Sequence, residues 1–189
     1  ASLSITNQRE TILAWDANTG LPVYNALVWQ DERGIELCNI LSQEHFENPI
    51  REKTGLRLDP YFSATKLAWI VKNSNAAKNA LKNDRLMVGT IDTWLIWNLT
   101  DRVVFATDYS NASRTMLFNI KTLDWDEELV STFGLSGILL PEPRSSDSYF
   151  GDARIPGFDR TLPITSVMGD SHAALFGHNG WNKGDIKAT

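Results

Sequence analysis

The sequence predicts an α/β fold, on three observations. Short apolar runs of strand character, "LSIT", "LMVGT" and "PITSVMG", are spread along the whole chain. Between them lie longer segments whose apolar residues recur every three or four positions, the period of a half-buried helix. Gly, Pro and Asn punctuate the borders between the two kinds of segment. Strands interspersed with helices in this way predict a mixed sheet packed by helices, rather than a bundle or a sandwich. At 189 residues the chain is long enough to bury a substantial core.

Taken in order, "LSIT" reads as a first strand. "TILAWD" and "VYNALVW" read as two more, joined by the turn residues of "ANTGLP" into an antiparallel hairpin. From Asp31 the period becomes helical, with Ile35, Cys38 and Leu41 on one face and acidic residues near the positive N-terminal end. A second helix over Glu47 to Thr54 stops at Gly55, which suits a left-handed cap. "SATKLAWIVKN" is a third, with Ser63 as N-cap, and a polar fourth covers Ala76 to Asn83. "LMVGT" is a buried strand, and "DTWLIWNLT" a helix capped by Asp92. "VVFA" and "MLFNI" read as strands on either side of the polar loop "TDYSNASRT". "DWDEELVSTFG" is a helix with an acidic first turn and Gly134 past its end. A Pro-, Gly- and Ser-rich connection with one short strand leads to "PITSVMGDSHAALFG", a strand, a tight turn and a helix start.

Composition narrows the function. A net charge of −5, with no run of five basic residues, argues against a nucleic-acid or anionic-membrane surface. No apolar stretch approaches a membrane span, and "ASLSITNQRE" has no signal-peptide pattern. The single cysteine, Cys38, has no partner for an internal disulfide, and no Cys/His cluster suggests a metal. Cys38 reads as a small core residue, and the expected setting is a reducing cytoplasm.

Four clusters could carry chemistry. Arg9 and Glu10 follow the first strand, at the kind of strand end where α/β ligands bind, although a solvated charge pair fits the same pattern. Trp29 in "LVWQDERG" could be a substrate wall or a core residue. Tyr61 in "DPYFSATK" could offer its hydroxyl to a ligand or staple the helix after it. Asp170 could cap its helix or carry chemistry. The consecutive Asp170, Ser171 and His172 do not read as a catalytic triad, which is an arrangement in space rather than in sequence.

The segments "SITNQRET", "YNALVWQD", "GLRLDPYFSATKLAWI", "GTIDTWLIWNLT", "TDYSNASRTMLFNIKTLDWD" and "GDSHAALFG" decide between these readings. In order and spacing they resemble the FGGY carbohydrate kinases, most of all the glycerol kinase branch, and "YFSATKLAWIVKN" resembles a signature of that family with Lys66 and Trp69 in place. The resemblance covers nearly the whole chain. It implies the actin and ribonuclease-H-like ATPase fold, with a polyol or sugar in the cleft and ATP, with Mg2+, held mainly by a second domain. Residues 1–178 are then the N-terminal substrate-binding domain without its first strands, and 179–189 the start of the ATP-binding domain.

By the same resemblance Arg9, Glu10 and Tyr61 contact substrate hydroxyls, Trp29 lies against the polyol carbons, and Asp170 is the general base. Ser171 and His172 stand where the family's glycerol kinases carry two glutamines, one of which contacts glycerol. A tetritol or pentulose therefore stands beside glycerol as acceptor. A polyol-binding module without catalysis is the rival reading, opposed by the retention of all five matched side chains. The isolated chain is expected to be inactive, since the family's phosphate-binding segments are not in it. Sheet edges exposed by absent strands predict dimerisation or aggregation of the isolated chain.

Overall fold

The computed structural model describes residues 1–188. β1 (Leu3–Asn7) and β2 (Ile12–Asp16) are followed by helices α1 (Ile35–Gln43), α2 (Glu47–Thr54), α3 (Ser63–Asn73) and α4 (Asn75–Lys82). Next come β3 (Leu86–Thr90), α5 (Ile91–Leu99) and β4 (Ala106–Asp108). Short pieces continue the chain: α6 (Tyr109–Ala112), β5 (Phe118–Asn119), β6 (Asp124–Trp125), α7 (Glu127–Thr132), β7 (Glu142–Arg144) and β8 (Asp152–Ala153). β9 (Leu162–Gly169) runs directly into α8 (Asp170–Gly177).

One pairing sets the geography. β1 lies parallel to β9, with Leu3 opposite Ile164 and Asn7 opposite Gly169, and β9 pairs antiparallel with β8. The C-terminal ends of β1 and β9 are thus in register, so Gln8–Glu10 and Asp170–His172 leave the sheet at the same edge. Ile5, Ile164 and Val167 bury the inner face of this sheet with Ile96 and Phe150. A larger core gathers Ala14, Ile50, Ala64, Leu67, Ile70 and Leu86, all fully buried, between the antiparallel pair β2–β3 and the helices. Trp15 is enclosed by Trp94, Trp97 and Phe105, with ring centroids 5.1, 5.6 and 5.8 Å away.

Several expected elements form differently. "VYNALVW" is no strand: it bridges β2 only at Ile12–Leu27, with Pro22 just before it bridging Trp15, and the chain bends between the two. The bend places Tyr24 edge-on to Trp69, centroids 5.4 Å apart, and the strand partner of β2 is β3 instead. α1 begins at Ile35 rather than Asp31, because the Asp31 carboxylate accepts the N–H of Arg33 and closes a local turn. Ser63 is the first helical residue, not the cap, and its hydroxyl donates to the Glu10 carbonyl at 2.9 Å. Of "VVFA" only Ala106 joins a strand, since Asp101 and Arg102 turn the chain with φ of 52° and 67°. "MLFNI" keeps a two-residue strand, β5, because Met116 has φ 62°. The Pro-rich connection holds two short strands, β7 and β8, rather than one. Gly55 does adopt the left-handed φ, 72°, that its place after α2 predicts.

Asp92 also departs from its expected cap role. It is the second residue of α5, with Thr90 in the cap position, and it is fully buried. The hydroxyls of Thr90 and Thr107 donate to its two oxygens at 2.5 and 2.7 Å. Burial nonetheless pushes its pKa up to about 6. A carboxyl whose folded pKa is raised stabilises the fold fully below its unfolded value, and that contribution is lost as pH rises through about 6. Asp92→Asn is therefore expected to gain on the order of 2–3 kcal/mol over the wild type at pH 8, shrinking below about 1 kcal/mol near pH 4. Urea unfolding at the two pH values checks this.

Candidate active site

The site is built where β1 and β9 end. Beyond Asn7 the chain turns sharply, and Glu10 takes φ 65°, a left-handed conformation for a non-glycine residue. Ser63 Oγ fixes the Glu10 carbonyl from the start of α3. The Glu10 carboxylate is held by Arg114, whose Nε donates to Oε1 at 2.6 Å, and its side chain is only 4% exposed. An ion pair this enclosed is a fixed anion with a defined orientation, unlike the surface charge pair that the dipeptide alone allows.

Arg114 reaches further. Its guanidinium lies 4.8 Å from the Phe62 ring centroid and 5.9 Å from that of Tyr61, within cation–π range. Tyr61 packs on Trp29, centroids 5.6 Å apart and planes tilted by 54°. Trp29 is exposed and Tyr61 half-buried, so the two rings form a wall that a ligand can reach. The backbone beneath Tyr61 is held by Lys66, whose Nζ donates to the carbonyls of Pro60, at 3.3 Å, and Tyr61. Lys66 is fully buried. Burial lowers its pKa to about 8, against the opposing pull of Glu10, Asp31 and Asp59.

The other half comes from β9 and α8. Gly169 is buried at the strand end, and a Cβ there would come within 2.4 Å of Arg9 Cδ, so the arginine can lie across this position only over a glycine. Ser110 Oγ accepts the Gly169 N–H at 2.8 Å. Asp108 accepts the N–H groups of Ser110 and Asn111, both at 3.0 Å, and so anchors that turn. Asp170 is the first residue of α8, with Gly169 in the cap position. Its Oδ1 accepts the N–H of Ser171 at 2.7 Å, and the carboxylate is exposed at the sheet edge. Ser171 Oγ reaches only as far as Asp170 Oδ1, at 3.5 Å. His172 Nδ1 faces Arg9 Nη1 at 3.3 Å, turned to the arginine rather than to Ser171.

A chain of contacts therefore unites the residues singled out in the sequence: Trp29 to Tyr61, Tyr61 to Arg114, Arg114 to Glu10, and Arg9 to His172, two positions from Asp170. Arg114 and His172 are members that sequence reasoning did not assign. Arg114 is the sole cation of the loop "TDYSNASRT", which is the only trace of its role in the sequence. The arrangement sets a cation, carboxylates and an aromatic pair near the C-terminal ends of parallel strands, the region where α/β domains commonly bind ligands.

Comparison with known proteins identifies that domain. Residues 1–177 match the FGGY family of carbohydrate kinases, N-terminal domain. The chain is 52% identical over 188 residues to glycerol kinase 1 of Thermotoga maritima and 49% identical over 188 residues to glycerol kinase of Borreliella afzelii. It is covered completely in both cases and spans 38% of each relative. Its structure superposes on that of Plasmodium falciparum glycerol kinase with ADP at a TM-score of 0.90 and 39% identity, over 97% of this chain and 37% of the other. Gluconate kinase of Lactobacillus acidophilus shares the fold at a TM-score of 0.81 and 22% identity, over 95% of this chain and 36% of that one. The fold is thus the actin and ribonuclease-H-like fold of these kinases. The chain belongs to the FGGY family of carbohydrate kinases.

Proposed function

We propose that the full-length protein transfers the γ-phosphoryl group of ATP to a hydroxyl of a small polyol, with glycerol as the first expectation. The observation that supports this reading is the contact chain Trp29–Tyr61–Arg114–Glu10 together with the Arg9–His172 contact, which bring the residues after β1 beside the start of α8, where Asp170 lies. Arg9 donates hydrogen bonds to substrate hydroxyl oxygens, and the Glu10 carboxylate, fixed by Arg114, accepts hydrogen bonds from substrate hydroxyls. Trp29 and Tyr61 cover the C–H face of the polyol and exclude water. As the acceptor oxygen bonds to the γ-phosphorus and the bond to ADP breaks, the hydroxyl proton passes to Asp170. Most of the acceleration is positioning and charge stabilisation.

Residues 1–178 serve as the substrate-binding domain and 179–189 lead into the ATP-binding domain. The end of α8 at Gly177 and the family match over residues 1–177 support this division. Among the described residues no three of His, Cys, Asp and Glu converge on a cation site. On the resemblance Mg2+ comes with ATP and is held mainly by the second domain, and no step is derived through it. The isolated 189-residue chain is expected to be inactive on the same reading. Among the described residues no helix is long and apolar enough to cross a membrane, and Cys38 is a buried free thiol. The cytoplasmic setting that we propose rests on the buried free thiol of Cys38.

Ser171 favours a second acceptor class. Its short side chain reaches only its neighbour's carboxylate, so a tetritol or pentulose could fill what a longer residue would cover. A panel of glycerol, erythritol, xylulose and gluconate with ATP and the full-length protein tests both readings by ADP release. Glycerol is expected to give the highest kcat/KM. A five-carbon ketose in first place would move the assignment within the family, and absence of turnover with every acceptor would overturn it.

A further inference from the structure

Arg9 is held by few partners. Its stem crosses Gly169, and its Nε is buried with no hydrogen-bond partner among the described residues. Its Nη1 lies 3.3 Å from His172 Nδ1. A guanidinium only donates, so Nδ1 must be the bare nitrogen of a neutral imidazole, with the proton on Nε2. Arg9 and Glu10 are adjacent, but Glu10 Oε1 is engaged by Arg114. His172 is therefore the side chain that can fix where the Arg9 guanidinium points.

The charges around the ring come from four directions. Arg9 follows β1, Arg114 lies beyond α6, Asp108 ends β4, and Asp170 is on α8 itself. β9, which packs beneath α8, carries no titratable side chain over Leu162–Gly169. Partial burial comes first, then the Arg9 charge, with Arg114 in the same sense. Together these outweigh the pull of Asp108 and Asp170 and hold His172 below its ordinary pKa of 6.5.

We propose that His172 is a positioning residue for the substrate clamp: neutral, it accepts from Arg9 and aims the guanidinium at the polyol, and protonated, it repels Arg9 and loosens the clamp. The ligand named here rests on the kinase reading above. The Arg9–His172 coupling does not. Because the folded pKa lies below 6.5, the neutral form prevails at and above that pH. The clamp is lost as pH falls through the folded value. By linkage, a bound polyol should in turn resist protonation of His172.

The test uses the full-length protein in two arms. In the first, KM for glycerol is measured between pH 8 and pH 5.5. The wild-type KM is expected to rise severalfold by pH 5.5, short of the roughly tenfold that a histidine of unshifted pKa would give, with a smaller change in kcat. His172→Gln, whose amide oxygen accepts from Arg9 without titrating, is expected to show a flat KM. An unchanged acid rise in this variant would overturn the proposal. In the second arm, NMR of histidine-labelled protein follows the His172 ring during titration. The ring should titrate below 6.5 as the Nε2–H tautomer, and Arg9→Met should move its pKa upward. No movement would sink the coupling whatever the substrate. If no polyol is phosphorylated, the kinase reading falls on its own, and the titration alone decides whether His172 and Arg9 act as a pair.

Discussion

Asp170→Asn in the full-length protein is expected to lower kcat by about 10²- to 10⁴-fold, the usual worth of a general base, while the protein stays folded. The structure separates these two effects. Asp170 is exposed at the first turn of α8, so burial is not at stake. Its Oδ1 accepts the Ser171 N–H at 2.7 Å and lies 3.5 Å from the Ser171 hydroxyl, and an asparagine carbonyl accepts both equally well. The substitution removes the capacity to take a proton and little else. KM for the polyol should change far less than kcat, because the substitution leaves Arg9 and Glu10, the hydroxyl contacts proposed above, untouched. Steady-state kinetics beside a thermal melt check the claim. Turnover within a few-fold of wild type would remove Asp170 from the role of base.

Arg114→Met is expected to act on both stability and binding. The Glu10 side chain is 4% exposed and its Oε1 relies on Arg114 Nε. Removing the cation leaves a buried carboxylate without its counter-charge, which costs about 3–5 kcal/mol. The methionine keeps much of the packing against Phe62 and Tyr61, so the loss reports the charge rather than a cavity. The double variant Glu10→Gln with Arg114→Met should recover much of this stability, because no charge is then stranded, yet it should not recover substrate affinity. Chemical denaturation of both variants, with KM for the best acceptor, distinguishes the outcomes. A single variant as stable as wild type would show that solvent reaches Glu10 and that the pair does not orient it.

The two expectations bear on different halves of the site. Asp170 leaves β9 and Glu10 leaves β1, and the parallel register from Leu3–Ile164 to Asn7–Gly169 brings the strand ends together. Gly169 is the hinge between them, since a side chain there would strike Arg9. The glycine before Asp170 thus serves close packing as well as the turn, a role invisible in "MGDSH" alone.

Much of the fold was legible because it is local. α2 with its Gly55 cap, α3, β3 and the β9–α8 turn each follow from period, turn residues and capping within a dozen positions. The elements read wrongly are those where a distant partner prevailed. "VYNALVW" has strand composition, but Tyr24 turns away to meet Trp69 and Arg33, while β2 finds β3. Ser63 and Asp92 have cap chemistry, yet their oxygens serve the Glu10 carbonyl and the hydroxyls of Thr90 and Thr107.

The sequence by itself determined the α/β class, most helices and, through its resemblance to a family, which side chains are proposed for the site. What only the tertiary structure decided is how those side chains are held. Glu10 meets Arg114 across 104 positions and Arg9 meets His172 across 163. A charge in a sequence carries no record of its partner, because pairing and desolvation depend on which strands lie side by side. Once β1 and β9 are parallel, the Glu10 of a surface-looking Arg-Glu pair is buried against Arg114, and the half-buried Arg9 comes within 3.3 Å of a histidine two positions from Asp170.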